Sequence, residues 1–419
     1  MKRDCVIIGA GPAGLAAAAF APEGALVLEA RKDPGWKILI SGGGHCNVTN
    51  SDTKDEYVRL LGPAGRFLKH ALYEFGPEEI RRFLAEHNCP TVAREEGHIY
   101  PKSNRAADVL NTLLAALTEN GSEVATGARV TGIKRRPGGF ALDIRGEALT
   151  CSKLLIASGT PAFDRVHPEF DAVLRALGHT ARQWVPGLAP VPLEPNLFSG
   201  LAGLSTTARV SVGGKWRDAG ELLVTDDGLS GPAVMNASAW INRRILEGQG
   251  GDFLVDLLPA SNREETLHAL MTLRDLHPRV GIDRVFEAAL PKRLAERLIA
   301  IALSSGLPGV SKKRQPNARA GRITASELKR EDAMKIAALI HACPCTAAGI
   351  PTFSQGYVAS GGIPLGEVNS RTMESRKVPG LFFAGEILDY DAPSGGYNIT
   401  LALATGRVAG EGLVAPIEE

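Results

Sequence analysis

The chain has 419 residues, with 47 lysines and arginines against 46 aspartates and glutamates, a net charge of +1. That length predicts two or three domains with substantial cores, and so even a charge balance gives no global field steering the protein to nucleic acid or a membrane. No apolar run approaches the roughly 20 residues of a membrane span, and the N-terminal apolar run reads as a strand and helix rather than a signal peptide. The six cysteines (Cys5, Cys46, Cys89, Cys151, Cys343, Cys345) are scattered, and Cys343 and Cys345 lack a second close pair. No metal site is therefore expected, and a reducing cytoplasm fits this usage.

The chain opens on CVIIGAGPAGLAAAA, an apolar strand ending in Gly9, Gly11 and Gly14 at G-x-G-x-x-G spacing and leading into an alanine-rich helix. Gly9 permits the tight turn, Gly11 lets backbone N–H groups approach a pyrophosphate, and Gly14 lets helix and strand pack closely. Pro12 and Ala13 start the helix at that approach. A second apolar run, Ala25 to Leu28, ends in Glu29-Ala30, where the carboxylate can accept hydrogen bonds from a ribose.

Next comes DPGWKILISGGGHCNVTN, Asp33 to Asn50, a loop of small and polar residues. Ser41, Gly42, Gly43 and Gly44 can form a backbone nest facing a phosphate or a flavin edge. Lys37 reads equally as a charge against the pyrophosphate and as a solvated surface lysine. Cys46 is the candidate catalytic thiol, as proton donor or redox partner, although packing is the favoured role for a cysteine so placed. Asn47 and Asn50 fix the loop through side-chain-to-backbone bonds. The histidines are dispersed, and His45 beside Cys46 is the one of interest.

Helical patterns follow, then short strands around Val130 and an apolar run from Lys153 that ends at Ala157-Ser158-Gly159, where a doubly wound sheet meets its cofactor. The expected organisation is a cofactor domain over 1–184 and 351–419. It is interrupted by a β-rich insert over 185–260 and 321–350, which itself carries a helical insert over 261–320. Lys312, Lys313, Arg314, Arg319 and Arg322 form a basic, helix-poor loop that reads mainly as a solvated segment and secondly as a handle on RNA phosphates.

The segment Val378–Gly410 returns to the cofactor. A strand ends in Gly385-Glu386, and Gly395-Gly396 opens a helix carrying Tyr397 and Asn398. The positive end of that helix favours the anion that forms on a reduced flavin, and Asn398 can bond the same edge. Ser394 and Tyr397 are candidate substrate contacts. A nicotinamide enzyme does not need this second half-site, whereas FAD lies extended and must be held at both ends, so the expected cofactor is FAD. No second G-x-G-x-x-G appears, so NAD(P)H is expected to bind transiently.

GAGPAGL, KILISGGGHCNVTN, GHIYPKSNRAADVL, ELLVTDDGLSGPAVMNAS, ASGGIPLGEVNSRTMESRKVPGLFFAGEILD and SGGYNITLALATG follow one another in a single order. Over nearly its whole length the chain resembles the BaiN-like flavoproteins, a bacterial family named for a 3-dehydro-bile-acid Δ4,6-reductase. The resemblance implies an α/β fold: a discontinuous, Rossmann-like FAD domain with a doubly wound parallel sheet, a β-barrel-like insert and a small helical domain. It also implies a flavin reduced by a nicotinamide nucleotide, and it places Glu386 near the ribityl or phosphate. Two departures stand out: the first helix is short, and TPAFDRVHPEFDAVLRALGHT replaces the usual small residues after Gly159. The leading expectation is NAD(P)H-linked reduction of an activated C=C bond in a small molecule. The alternatives are an oxidase of a small amine or aminoketone, a ribosomal RNA dihydrouridine synthase, and a non-catalytic flavin-binding module.

Overall fold

The computed structural model describes residues 2–94, 97–164, 169–304 and 323–414. The chain divides into two compact units, Met1–Trp184 with Val358–Glu419, and Val185–Tyr357. Among the described residues no helix is long and apolar enough to cross a membrane, and no cluster of three or more His, Cys, Asp or Glu could hold a metal.

The first unit is built on a sheet whose parallel strands run Glu123–Ala125, Leu26–Leu28, Lys2–Ile8, Glu147–Ile156 and Leu381–Phe383. An antiparallel hairpin, Val130–Arg136 and Gly139–Ile144, adds to the first half of Glu147–Ile156. The parallel strands are apolar without alternation, as a sheet covered on both faces requires: Val6, Ile7, Val27, Leu154, Leu155, Leu381 and Phe383 are all fully buried. The last strand sits beside Glu147–Ile156, so the carboxyl ends of the two chain halves share one edge.

The first helix, Pro12–Phe20, has proline in its first turn and buries Ala13 to Ala18. It is short, as expected, and its terminal carbonyls are satisfied from elsewhere. The Asn120 side-chain amide donates to the carbonyls of Ala18 and Ala21 at 3.1 and 2.8 Å, and Ser122 Oγ donates to Ala18 at 3.2 Å.

The second unit is an antiparallel sheet in the order Val191–Pro192, Gly228–Ser230, Gly220–Val224, Ser205–Val212, Asp252–Asp256, Cys343–Thr346. Its two ends meet: Leu193 pairs with Ala347, and Glu194 N–H donates to the Thr346 carbonyl at 3.0 Å. The sheet therefore closes on itself, which removes its edges. The segment over 261–320 does not form a separate domain in its described part. Leu270, Phe286, Leu294 and Leu298 from its helices join Val210, Leu222 and Val255 from the strands in one core.

Sequence reading finds no Ser-His-acid arrangement, yet the first unit assembles one. His179 Nδ1 donates to Glu367 at 2.8 Å, and Ser375 Oγ donates to His179 Nε2 at 2.9 Å. It is not a nucleophile. Ser375 and His179 are buried, and Ser375 Oγ already accepts the backbone N–H groups of Lys377 and Val378 at 3.0 and 2.8 Å. Burial alone would raise the Glu367 pKa, but hydrogen bonds from Lys377, Thr180 and His179 bring it to about 2. Burial lowers the His179 pKa, against the pull of Glu367.

Both shifts act in the same direction. The Glu367 contribution is complete above the unfolded carboxyl value of roughly 4.3 and fades as pH falls toward 2, and neutral His179 is lost on acidification as well. Glu367→Gln should cost about 1–3 kcal/mol at pH 7. Thermal melting at pH 7 and pH 3 should show the gap to wild type narrowing in acid, and a gap constant with pH would contradict this linkage.

Candidate functional site

At the carboxyl edge of the first unit's sheet lies a cavity of about 580 Å³. It falls within the ~300–1,000 Å³ range of ligand sites. Its wall includes Gly9, Gly11, Pro12, Ala13, Glu29, Ala30, Lys37, Val130, Ala157, Ser158, Gly159 and Glu386 from the residues the sequence singles out. Arg31, Trp36, Arg129, Thr131 and Thr160 also line it and were not foreseen. The Arg31 guanidinium lies 4.9 Å from the centre of the Trp36 ring, and Trp36 meets Phe163 edge-on at 5.3 Å. Only the position of Arg31 just after Glu29 hinted at this wall.

The glycine turn is held on all sides. A Cβ on Gly9 would stand 2.4 Å from the Ala157 carbonyl oxygen, and one on Gly14 would stand 1.9 Å from that of Gly9. Gly9 also has φ +102°, which an L side chain rarely adopts. Glu29 Oε2 accepts from Ala10 N–H at 2.8 Å and Oε1 accepts from Arg31 N–H at 2.9 Å. Two backbone donors thus fix the carboxylate, and each oxygen keeps a lone pair for a further hydroxyl.

Lys37, weighed as a pyrophosphate charge or a surface lysine, is part-buried and paired within the protein. Its Nζ is ion-paired with Glu386 and donates to Thr160 Oγ1 at 3.4 Å, and both partners line the cavity. The reason is long-range: Glu386 follows the last strand, which the sheet places beside the first half-site.

The residues expected at the flavin end lie together, outside this cavity. Gly42 and Gly43 have φ of +54° and +67° within the Ser41–Gly44 turn. The amides of His45 and Cys46 bond back to the carbonyls of Gly42 and Ser41. Thr49–Asn50 forms a small antiparallel sheet with His98–Pro101 and Thr91–Ala93. The Gly395–Gly396 turn packs on it: a Cβ on Gly396 would stand 2.7 Å from the Thr49 carbonyl oxygen, and the Asn50 amide donates to the Gly395 carbonyl at 3.2 Å. Below this junction the hydroxyls of Thr49, Tyr57 and Thr400 form a buried cluster, with Thr400 donating to Thr49 at 2.8 Å.

Three of the candidate residues are engaged within the protein. Asn398 is not aimed at a ligand edge: its Nδ2 donates to the Ala392 and Pro393 carbonyls, and its Oδ1 accepts from Ala392 N–H. Tyr397 hydroxyl donates to Asp52, tying the helix start to the loop. Cys46 is fully buried, and burial pushes its thiol up to about 12, so no thiolate is available near neutrality. His45 is exposed and its Nδ1 donates to the Asn104 carbonyl at 2.9 Å. The basic loop Lys312–Arg322 lies outside the described residues.

The geometry fits FAD on two counts. Gly11 lines the cavity and has nothing within 4 Å of where a Cβ would stand, leaving open space beside the helix start, and Ser158 Oγ in the same wall is buried without a hydrogen-bond partner. Asn47 Oδ1, beside Gly42, is likewise buried and unpartnered.

Comparison with known proteins agrees. The profile of the HI0933-like protein Rossmann domain matches residues 3–412. A 3-dehydro-bile acid Δ(4,6)-reductase of Clostridium scindens is 32% identical, over 96% of this chain and 97% of its own. A ribosomal RNA dihydrouridine synthase of Escherichia coli K12 is 30% identical over 99% of each chain. One of the same description from Haemophilus influenzae is 27% identical over 95% of each.

The buried thiol has a direct check. A thiol-reactive disulfide reagent at pH 8 should leave Cys46 unlabelled in the folded protein, and denaturant should expose it. Rapid native labelling of Cys46, identified by peptide mass, would contradict this environment.

Proposed function

We propose that this chain, which belongs to the HI0933-like Rossmann family and is an FAD-dependent oxidoreductase, uses NAD(P)H to saturate a C=C bond conjugated to a carbonyl in a small molecule. The observation that carries the reading is the pair of relatives. The names 3-dehydro-bile acid Δ(4,6)-reductase and dihydrouridine synthase describe one reaction class, reduction of a double bond activated by a carbonyl, on unlike substrates. The matches run over essentially the whole chain, which supports carrying that reaction class over to this site.

When bound, FAD supplies two-electron hydride transfer between the nicotinamide and the double bond. The chain's own part is binding and orientation. Glu29, aimed by the Ala10 and Arg31 amides, accepts ribose hydroxyls. The start of the first helix at Gly11 takes the diphosphate, and Ser158 offers its unpartnered hydroxyl. The Ser41–Asn47 loop, Gly385 and the Gly395–Gly396 turn hold the far end. Arg31 on Trp36 extends the wall beyond Glu29.

A small substrate is preferred over RNA because the net charge is only +1. RNA is the second reading, favoured by the dihydrouridine synthase relative of full length.

Purified protein should be yellow and release FAD rather than FMN, and Glu29→Ala should weaken FAD binding by about 1–3 kcal/mol, roughly 5- to 150-fold. In stopped flow, NAD(P)H should bleach the flavin, and a 3-oxo-4-ene steroid should restore the colour much faster than air alone. Rapid reoxidation by oxygen with no effect of the enone would replace this reading with the oxidase. Restoration only by unmodified ribosomal RNA would replace it with the RNA enzyme.

A further inference from the structure

We propose that His98 delivers the proton in this reduction, an inference that rests on the reaction class proposed above. The motif GHIYPKSN has no role in the cofactor site as read from sequence, and the fold gives it one. His98–Pro101 pairs with Thr49–Asn50, with Asn50 opposite His98 and Thr49 opposite Ile99. Strand alternation turns Ile99 inward, where it is fully buried, and leaves His98 and Tyr100 half-buried on the other face.

On that face the imidazole lies against the turn that opens the last helix. A Cβ on residue 395 would stand 3.2 Å from His98 Nε2, and Gly395 has φ +112°. Glycine there admits the ring. Two residues on, the Tyr100 ring comes within 3.2 Å of the position a Cβ on Gly42 would take. Segments from opposite ends of the chain therefore meet on this strand, the Gly395 turn at the His98 imidazole and the Gly42 turn at the Tyr100 ring, at the end of the site read as holding the flavin ring.

Saturating a conjugated C=C bond adds a hydride to the β-carbon and a proton to the α-carbon. The electron pair comes from NAD(P)H by way of the cofactor, and the proton needs a donor that water can recharge. Four other groups nearby are poor donors. Cys46 is fully buried and its thiol is pushed up to about 12. Tyr57 is buried and likewise pushed up to about 12. Burial and Asp52 raise Tyr397, whose hydroxyl is committed to that carboxylate. The Nδ1 proton of His45 is held by the Asn104 carbonyl. The His98 ring makes no hydrogen bond to the described residues. An imidazole is the side chain best matched to proton transfer near neutrality. In the step, the His98 N–H bond breaks as the α-carbon C–H bond forms, and the neutral ring takes a proton back from solvent.

The test uses full-length His98→Ala and His98→Gln. Both should hold one FAD per chain with an unchanged visible spectrum, and should bind the saturated ketone product within about 3-fold of wild type, followed by the flavin absorbance. NAD(P)H should bleach them at the wild-type rate, while reoxidation by the enone slows by about 10²-fold or more. Added imidazole should restore His98→Ala in proportion to its concentration, which a structural role would not allow. Enone reoxidation within 3-fold of wild type overturns the assignment, as does slowing that imidazole leaves untouched. Should wild-type protein itself fail to be reoxidised by any enone, the reaction class falls, and the proton role with it.

Discussion

The contact on which the molecule depends is the close approach of its first and last helices. A Cβ on Gly406 would stand 2.3 Å from the Ala13 carbonyl oxygen, and one on Gly410 would stand 2.4 Å from that of Ala17. Glycine therefore faces alanine at two successive turns, and a larger residue in either pair would force the helices apart at a cost of about 1–3 kcal/mol. Gly385 extends the seam: its N–H donates to Thr405 Oγ1 at 2.9 Å, and a Cβ on it would stand 2.6 Å from Ala13 Cβ. Through these contacts the two ends of the chain form one unit, although the whole of Val185–Tyr357 is inserted between its parts.

The matched pairs run the same way along both helices, so the helices are parallel. Gly396 precedes Gly406 by ten residues, whereas Gly11 precedes Ala13 by two. At 1.5 Å per residue the two helix starts are staggered by about 12 Å along a common direction. That stagger suits a ligand whose diphosphate and ring lie well apart. It follows from the register of small residues, and the seam reaches the proposed site itself, since Ala13 lines the cavity.

Much of this was legible in the sequence because it is local. The strand, the glycine turn, the alanine helix and Glu29 follow one another directly at the N-terminus, and the second half-site is continuous from Val378 to Gly410. What was not legible depends on long-range register. Glu386 is far from Lys37 in the chain, and only the pairing of Leu381–Phe383 with Glu147–Ile156 makes them neighbours. Closure of the second unit's sheet rests on Leu193 meeting Ala347. His98 is remote from both Asn50 and Gly395 in sequence and carries no local signature; the cross-strand pairing alone brings it to that turn. Asn398 is the opposite case, because its amide is used locally, on the carbonyls of Ala392 and Pro393.

The Lys37–Glu386 pair also bears on how a diphosphate is held. With that lysine already paired, a diphosphate bound as proposed would draw much of its compensation from backbone N–H groups. Two helices cap themselves: Thr53 with Glu56, and Asn262 with Glu265, satisfy the first amides of Lys54–Leu60 and Arg263–Leu276. The first and last helices start at Gly11 and Gly396 with no side-chain cap and no acidic residue in the first turn, as Pro63–Glu74 and Pro232–Leu246 also do at Gly62 and Gly231. A capping carboxylate there would satisfy the amides and repel an anion at once. Glycine does neither, so at these two starts nothing in the first turn would oppose the anionic groups of the proposed cofactor.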